Sequence, residues 1–573
     1  MKIRTVLTML VLIFSLSFPV SAAPLDTRAA LPQVPETPSP ENGQNTVVDE
    51  WQTLAPGIDY REYHLATPNN VFVTRMTAYT STITNTLETS IALGKLSAGR
   101  ETVRSMAGRY DQAINYAGGQ WGARNNVVVA INGFYFNPYT GVPWSGLVHS
   151  SWYAKHFDDA ESQLGFGWMM NRYPIIGEGV YTDNFKQIVK YVRANVTQNL
   201  DAINLLQQDD QLVLFTPQFD KDTPLFDPEE AVYDTVVEAL IELPVRPTLI
   251  IPDPKFVTGI VKEIFIDQGQ TPIPFDHVVL SATGAAANIL KNNLQVGDEV
   301  HFSQEVSTYP SKPKYDWTKT YAGMGGAFYY LKNGELQSFT DPGATFRHPR
   351  TAIAYNEDDL FFIVVDGRDP SWSVGMSMHE LGVFARDMLG ATDGVALDGG
   401  GSSTMVVNGD VVNNTFCNNV FCEPKVFLPL ALASQTVTQT QSLSAEEASL
   451  IELTRQDEAG RMEFITAEVG PNSRLTRQVA DGMLMVAVQP FTHTMTLAAD
   501  DFVTTTIPTE VRLGPGANYE VLEFIPENEP GVVLPHALNG VLAKDANWWK
   551  VKFGALQGWV REEALAPITA PTQ

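Results

Sequence analysis

Cysteine is nearly absent from this chain of 573 residues, which has only Cys417 and Cys422. Two cysteines cannot build a zinc-finger set, and the nine histidines never fall in an HExxH spacing. Nothing in the sequence therefore requires a metal or other cofactor, although a structural calcium stays open. Basic residues are also few: 38 Lys and Arg stand against 65 Asp and Glu, a formal charge of −27. Such a surface argues against nucleic acid, whose phosphates reward basic proteins. Any anionic substrate must be met by locally placed arginines rather than by the overall field. No Gly-Lys-Ser/Thr follows the glycine-rich stretch, which excludes a P-loop. Internal repeats are missing too.

Long apolar runs are missing beyond the N-terminus. The run from Val6 to Phe18 follows Lys2 and Arg4 and leads to the small residues Val20-Ser21-Ala22. It is too short to span a bilayer, so residues 1–22 read as a signal peptide and no transmembrane segment is expected. Residues 23–50 are proline-rich and read as an extended linker. Localisation should then be extracellular or at the cell envelope, where a disulfide between Cys417 and Cys422 is one reading and free thiols the other. The hydrophobic content, 44%, can fill real cores in more than one domain.

What is present concentrates between Arg347 and Gly409. Phe361–Val365 is an apolar run without helical period, hence a buried strand, ending on Asp366-Gly367-Arg368. Ser377 and Glu380 form a capping-box pattern before a helix with Leu381, Phe384, Ala385 and Met388 on one face, stopping at Gly390. A second short strand, Val395–Leu397, delivers Asp398 into a turn of three glycines, Ser402, Ser403 and Thr404. Asn408-Gly409 between valine pairs is a hairpin signal. Upstream, Val127–Ile131 is a buried strand ending on Asn132-Gly133, Glu101–Tyr116 has helical spacing, and Gly284–Leu290 reads as one short helix. Strands dominate, so the fold class is α+β, with mixed or antiparallel sheets and flanking helices.

The motifs HPRTA (348–352), VVDGR (364–368), GMSMHEL (375–381) and LDGGGSSTMVVNG (397–409), in this order, resemble the phosphodiester glycosidase family. Weaker echoes occur at Ala130–Phe136, Met324-Gly325-Gly326 and Lys332-Asn333-Gly334, so the resemblance spans residues 51–433. It implies a site lined by Arg350, Asp366, Arg368, Asp398, Gly399, Gly400, Ser402, Ser403 and Thr404. It also implies that the segment from Cys417 to Cys422 is a shortened cysteine loop.

The residue chemistry fits that expectation. Arginine offers a rigid fork of donors for phosphate oxygens, which suits Arg350 and Arg368, or else braces loops through aspartates. Asp366 and Asp398 are the acid–base candidates, since glycoside cleavage commonly uses two carboxyl groups, though either could instead orient an arginine. His348 is an alternative proton shuttle. His379, inside the capped helix, reads as a surface residue. Asn132 could hold a sugar hydroxyl or simply make a turn. The glycine turn could bring N–H groups and hydroxyls to an anion, and a departing phosphate needs cations more than a proton donor. The expected activity is hydrolysis of the sugar C1–O bond of a sugar-1-phosphodiester, freeing an N-acetylglucosamine-like sugar. The alternatives are a phosphodiesterase releasing sugar phosphate and a non-catalytic polysaccharide- or wall-binding protein.

Beyond residue 433 the composition changes. Residues 434–500 read as a connector, with 444–461 as a short helix. Residues 501–567, with Val511–Gly516, Trp548–Val551 and Gly558–Val560, resemble a bacterial SH3-like domain. Such a module implies a cell-wall ligand stacked on exposed aromatics. Trp559 reads as core, and Trp549 as core or ligand-facing.

Overall fold

The apolar run Phe361–Val365 lacks polar alternates because both of its faces are covered. This is seen in a computed structural model describing residues 46–47, 50–77, 84–110, 116–117, 120–121, 126–150, 152–157, 163–182, 187–227, 235–243, 257–303, 306–308, 316–416, 422–423, 450–456, 462–468, 476–488, 494–516, 519–536, 540–543 and 546–569. The expected signal peptide and Cys417 lie outside these residues, as does nearly all of the proline-rich linker.

The elements that position the site are, in chain order, β1 (Ile58–Leu65), β2 (Asn69–Thr77), β3 (Asn85–Ile91), α1 (Val103–Tyr110), β4 (Asn126–Asn132), β5 (Phe328–Lys332), β6 (Arg350–Tyr355), β7 (Asp359–Val365), α2 (Met378–Leu389), β8 (Asp393–Ala396), β9 (Met405–Val407), β10 (Asp410–Val411), β11 (Thr476–Val479) and β12 (Asp481–Ala487). The first sheet runs β1-β2-β7-β6-β8-β5 and the second β10-β9-β4-β12-β3, with every neighbouring pair antiparallel. Strands predominate and helices are few.

The two sheets pack face to face. Phe72, Phe362, Val364 and Val395 of the first share a core with Val129, Ile131, Met405, Met483 and Met485 of the second. On the outer face of the first sheet, Phe361, Ile363 and Val365 meet Leu381, Phe384 and Ala385 of α2. On the outer face of the second, Ala130, Leu484 and Val486 meet Val103, Met106 and Ala107 of α1. Strand residues alternate between faces, so a helix–sheet–sheet–helix stack demands apolar residues at both parities. Each fully buried Phe, Leu, Ile or Met contributes about 1.5–3 kcal/mol.

Local signals hold where they were strongest. Ser377 accepts from the Glu380 N–H and Glu380 returns to the Ser377 N–H, so α2 carries a full capping box, and Gly390 closes it in the left-handed region at φ 67°. Asn408 and Gly409 take φ 49° and 88°, as a two-residue turn joining β9 to β10 requires. The helix after Gly284 runs Gly284–Asn293.

The stretch 434–500 departs from the expected connector. Leu450–Gln456 is a strand paired with Met462–Glu468 rather than a helix, because Ile451 and Leu453 sit opposite Ala467 and Ile465 in a ladder. β12 lies between β4 and β3, wholly buried, so residues 481–487 belong to the second sheet.

An eight-stranded sheet spans residues 188–303, between the antiparallel strands Val180–Thr182 and Val306–Thr308. Among the described residues it holds one parallel ladder, Ala202–Ile203 beside Leu212–Phe215.

Residues 502–567 form a small eight-stranded unit with a 3-10 turn at Glu562–Ala564. Its tryptophans are not offered to solvent: Trp548, Trp549 and Trp559 are all buried, while Phe524 is exposed. The Trp549 Nε1–H donates to Glu562, 2.5 Å away. Phe275, next to the eight-stranded sheet, stands edge-on to Tyr519 and Trp559 at centroid distances of 5.6 and 6.1 Å. Beside it the buried Asp276 accepts from Lys550 Nζ at 2.6 Å and lies 2.7 Å from His277 and 3.1 Å from His536. These partners hold its carboxyl well below the usual range despite burial. Asp276→Asn strands the Lys550 ammonium, and the expected loss is about 3 kcal/mol in urea denaturation at pH 7. A depressed carboxyl stabilises above its unfolded value of about 4, so the wild-type advantage should vanish as pH falls below that. An unchanged urea midpoint would refute the arrangement.

Candidate active site

Five strand ends come together. β6 begins where β7 ends (Arg350 opposite Val365) and where β8 gives way to Asp398, since the Leu397 N–H reaches Thr351 O at 2.8 Å. The second sheet meets the same edge. The Asp398 N–H donates to Gly133 O at 3.0 Å, and the Gly133 N–H donates to Asp481 O at 2.9 Å. Gly133 has no room for a side chain because the Asp481 carboxylate fills that position.

Asp398 is the central group. It is half-buried and accepts hydrogen bonds from the Ser402 hydroxyl and the Gly399 N–H, with Arg477 and Arg368 nearby. Burial outweighs these and raises its carboxyl to about 6. The turn after it is short and helical over Gly400–Ser402, anchored by the Gly400 N–H on Pro349 O at 2.9 Å. Gly400 takes φ 65°, and a Cβ there would stand 3.2 Å from the Arg368 guanidinium. A Cβ on Gly401 would stand 2.7 Å from the Arg477 Nη2. Two arginines thus flank the turn because two residues of it lack side chains.

Arg368 sits at φ 61° with its guanidinium 5.6 Å from the Phe416 ring. Burial and the like charge of Arg477 lower its pKa, while Asp398 opposes the shift. Arg350 is buried, and burial lowers its pKa to about 10. Its Nε and one Nη each donate at 2.7 Å to backbone carbonyls, those of Met376 and Phe346, so it braces two loops as well as charging the site. His348 is half-buried, and burial with Arg350 and Arg368 lowers its pKa, leaving a neutral imidazole at pH 7. Its Nδ1 is buried and without a partner among the described residues.

Two expected site residues serve other purposes. Asn132, expected either to hold a sugar hydroxyl or to make a turn, is fully buried with its amide engaged inside the protein. It donates to Asp398 O at 2.8 Å and Gly133 O at 3.3 Å, and accepts from Thr351 Oγ1 at 2.7 Å and the Thr404 N–H at 3.2 Å. Asp366, expected to be an acid–base group or to orient an arginine, is 1% exposed. Its carboxylate accepts from Trp372 Nε1 at 2.8 Å, Asn413 Nδ2 at 3.0 Å and the Asn414 N–H at 2.9 Å, fastening the loop after β10. A carboxylate so enclosed and donated to holds structure. Ser402, Ser403 and Thr404 are buried in the turn, the last two with hydroxyls unpartnered among the described residues. His379 is exposed on α2, as expected. The Cys417–Cys422 pairing falls outside the described residues.

Three residues were missed. Tyr135, half-buried, has its hydroxyl raised to about 12 by burial and then by Asp398, and stays a proton donor. Asp481 is buried, accepts from the Phe134 N–H, and is pushed well above the usual range by burial and then by Asp398. Arg477 comes from β11. Tyr135 stood inside the Ala130–Phe136 echo. The run Met483–Ala487 has the same unbroken apolar character that marked β7, and would have exposed β12 and Asp481 at its head. Because burial disfavours its charged form, the neutral isostere Asp481→Asn is expected to hold the native fold, with ΔG of unfolding at pH 7 within about 1 kcal/mol of wild type or above it. A loss of several kcal/mol by urea titration would show that its ionised form is needed.

Among the described residues no group of three or more His, Cys, Asp or Glu side chains is arranged to hold a metal.

Residues 256–426 match the sequence profile of the phosphodiester glycosidase family. Three solved structures are similar to this chain. A hypothetical protein from Synechocystis is 13% identical, with TM-score 0.45, over 76% of this chain and 63% of that one, so the chain spans less than two thirds of its length. An exported protein from Burkholderia pseudomallei is 16% identical, with TM-score 0.42, over 75% of each chain. The catalytic domain of zebrafish N-acetylglucosamine-1-phosphodiester alpha-N-acetylglucosaminidase, auto-inhibited by pro-peptide, is 12% identical, with TM-score 0.26, over 64% of this chain and 80% of that one. No curated protein matches.

Proposed function

We propose that this chain is an exported glycosidase that hydrolyses the C1–O bond of a sugar-1-phosphodiester, giving a free, N-acetylglucosamine-like sugar and a phosphomonoester. The observation that carries the reading is Asp398 itself: a carboxyl at about 6, held by Ser402 and Gly399, with the Arg368 guanidinium against the adjoining glycine. A nucleophile or base for C1 and a cation for the departing oxygen thus share one turn. The profile match over 256–426 supports the bond type.

In the reaction the C1–O bond breaks and its electron pair leaves on the phosphate oxygen. Asp398 either deprotonates the attacking water or bonds C1 first and is released by water. Arg368 receives the leaving phosphate, which already leaves well and needs no strong acid. Tyr135 and the neutral His348 are the remaining proton-carrying groups, and Asp481 sets the electrostatics under Asp398 without facing substrate.

The test is to incubate the full mature chain with UDP-N-acetylglucosamine and with an N-acetylglucosamine-1-phospho-mannoside in water enriched in 18O. Free sugar carrying the label at C1 is expected. Label in phosphate together with sugar phosphate would move the cut to the P–O bond and overturn the reading. Export is checked by fractionating expressing cells, where retention with an uncleaved leader would refute it.

A further inference from the structure

The Gly400–Thr404 turn is gripped by two guanidiniums, and only Arg368 belongs to the stretch that the family profile covers. The other, Arg477, arrives on β11 from beyond it. Arg477 Nη1 lies 3.4 Å from Ser402 Oγ, and its Nε is buried with no partner among the described residues. Ser403 Oγ and Thr404 Oγ1, on the same turn, are likewise buried and unpartnered there. Neither arginine makes an ion pair among the described residues, and each feels the single nearby carboxylate, Asp398. Two like charges on one small turn, sharing one counter-charge in a chain of net −27, repel each other and stay poorly satisfied. Folding alone does not call for that placement, but an anion with several oxygens does.

Resting on the proposed reaction, we infer that Arg477 is a phosphate-binding residue, the second half of a subsite whose first half is Arg368, and that it sets the preference for a phosphate leaving group. The chemistry explains why two cations are wanted. A phosphodiester enters with one negative charge, and when its bond to C1 breaks the phosphomonoester leaves with two. Arg368 answers the charge present from the start, and Arg477 the charge that develops on cleavage. An interaction that strengthens only toward the transition state raises kcat more than it lowers KM.

The experiment uses the full mature chain and two readouts. Calorimetric titration with inorganic phosphate at low ionic strength measures the subsite without turnover. Arg477→Gln is expected to weaken phosphate binding by about 10- to 100-fold, with Arg477→Lys recovering part of it. With the phosphodiester substrates, Arg477→Gln should lower kcat by a similar factor and move KM by less than about threefold. Gly401→Ala is a second variant that keeps the arginine but pushes its Nη2 aside, and it should shift both readouts the same way. Circular dichroism confirms that each variant folds. Wild type that does not bind phosphate, or Arg477→Gln that binds it equally well, overturns the inference. Phosphate binding lost in Arg477→Gln, in a wild type that cleaves no sugar diester, would keep the anion subsite and refute the hydrolysis reading.

Discussion

Replacing Asp398 with asparagine should lower kcat on a sugar-1-phosphodiester by about a thousandfold or more, the usual share of a positioned base or nucleophile. Asparagine fills the same space beside Ser402 and Gly399 but can neither take a proton from water nor bond C1. The structure adds a pH signature. Asp398 must be ionised to act, and its carboxyl sits at about 6. In wild type kcat/KM should therefore fall tenfold per unit on the acid side of pH 6 and be flat just above it. Residual activity of the variant should lose that limb. Measuring kcat/KM from pH 4 to 8 for both proteins decides the matter. A wild-type limb near pH 4, or a variant that keeps the limb, would remove Asp398 from the chemistry and leave His348 as the candidate base.

The contrast between Asp398 and Asp366 shows how far the sequence could be read. Both end an apolar strand and both precede glycine, so local pattern gave them one reading. What separates them is enclosure by residues distant in the chain. Asn413 and Asn414 turn back onto Asp366, while Ser402, four residues on, is what reaches Asp398. The first contact depends on how the β9–β10 hairpin returns to the first sheet, and no spacing rule announces it. The capping box of α2 and the Asn408-Gly409 turn were legible because their partners are a few residues away. β12 was missed for a different reason. It completes a sheet whose other central strand, β4, lies some 350 residues earlier, so its apolar run made sense only once β4 was beside it. Arg477 and Asp481 followed β12 into obscurity.

Asn132→Asp is expected to be nearly as damaging as the loss of Asp398, though Asn132 touches no reacting atom. The change is isosteric, and Thr351 and Thr404 can still donate to the new carboxylate as they do to the amide oxygen. Lost are the N–H donor to Asp398 O, which ties the second sheet to the first at the site, and a longer one to the adjoining Gly133 O. An ionised aspartate would face carbonyl oxygens in a fully buried position, so it should take up a proton, joining a cluster already containing Asp398 and Asp481. Stability should fall by roughly 1–3 kcal/mol for the weakened Asp398 carbonyl contact, since Gly133 O keeps the Asp398 N–H. A protonated carboxyl adds no charge next to Asp398, so the acid limb of the rate profile should stay near pH 6. Because Asn132 acts through the placement of Asp398, kcat should drop by about 100-fold while KM stays within about threefold. The split between the two constants is the decisive measurement. A raised KM with kcat intact would mean that the amide does reach the sugar, as its place in the sequence motif suggested, and that the closed arrangement around it opens when substrate binds.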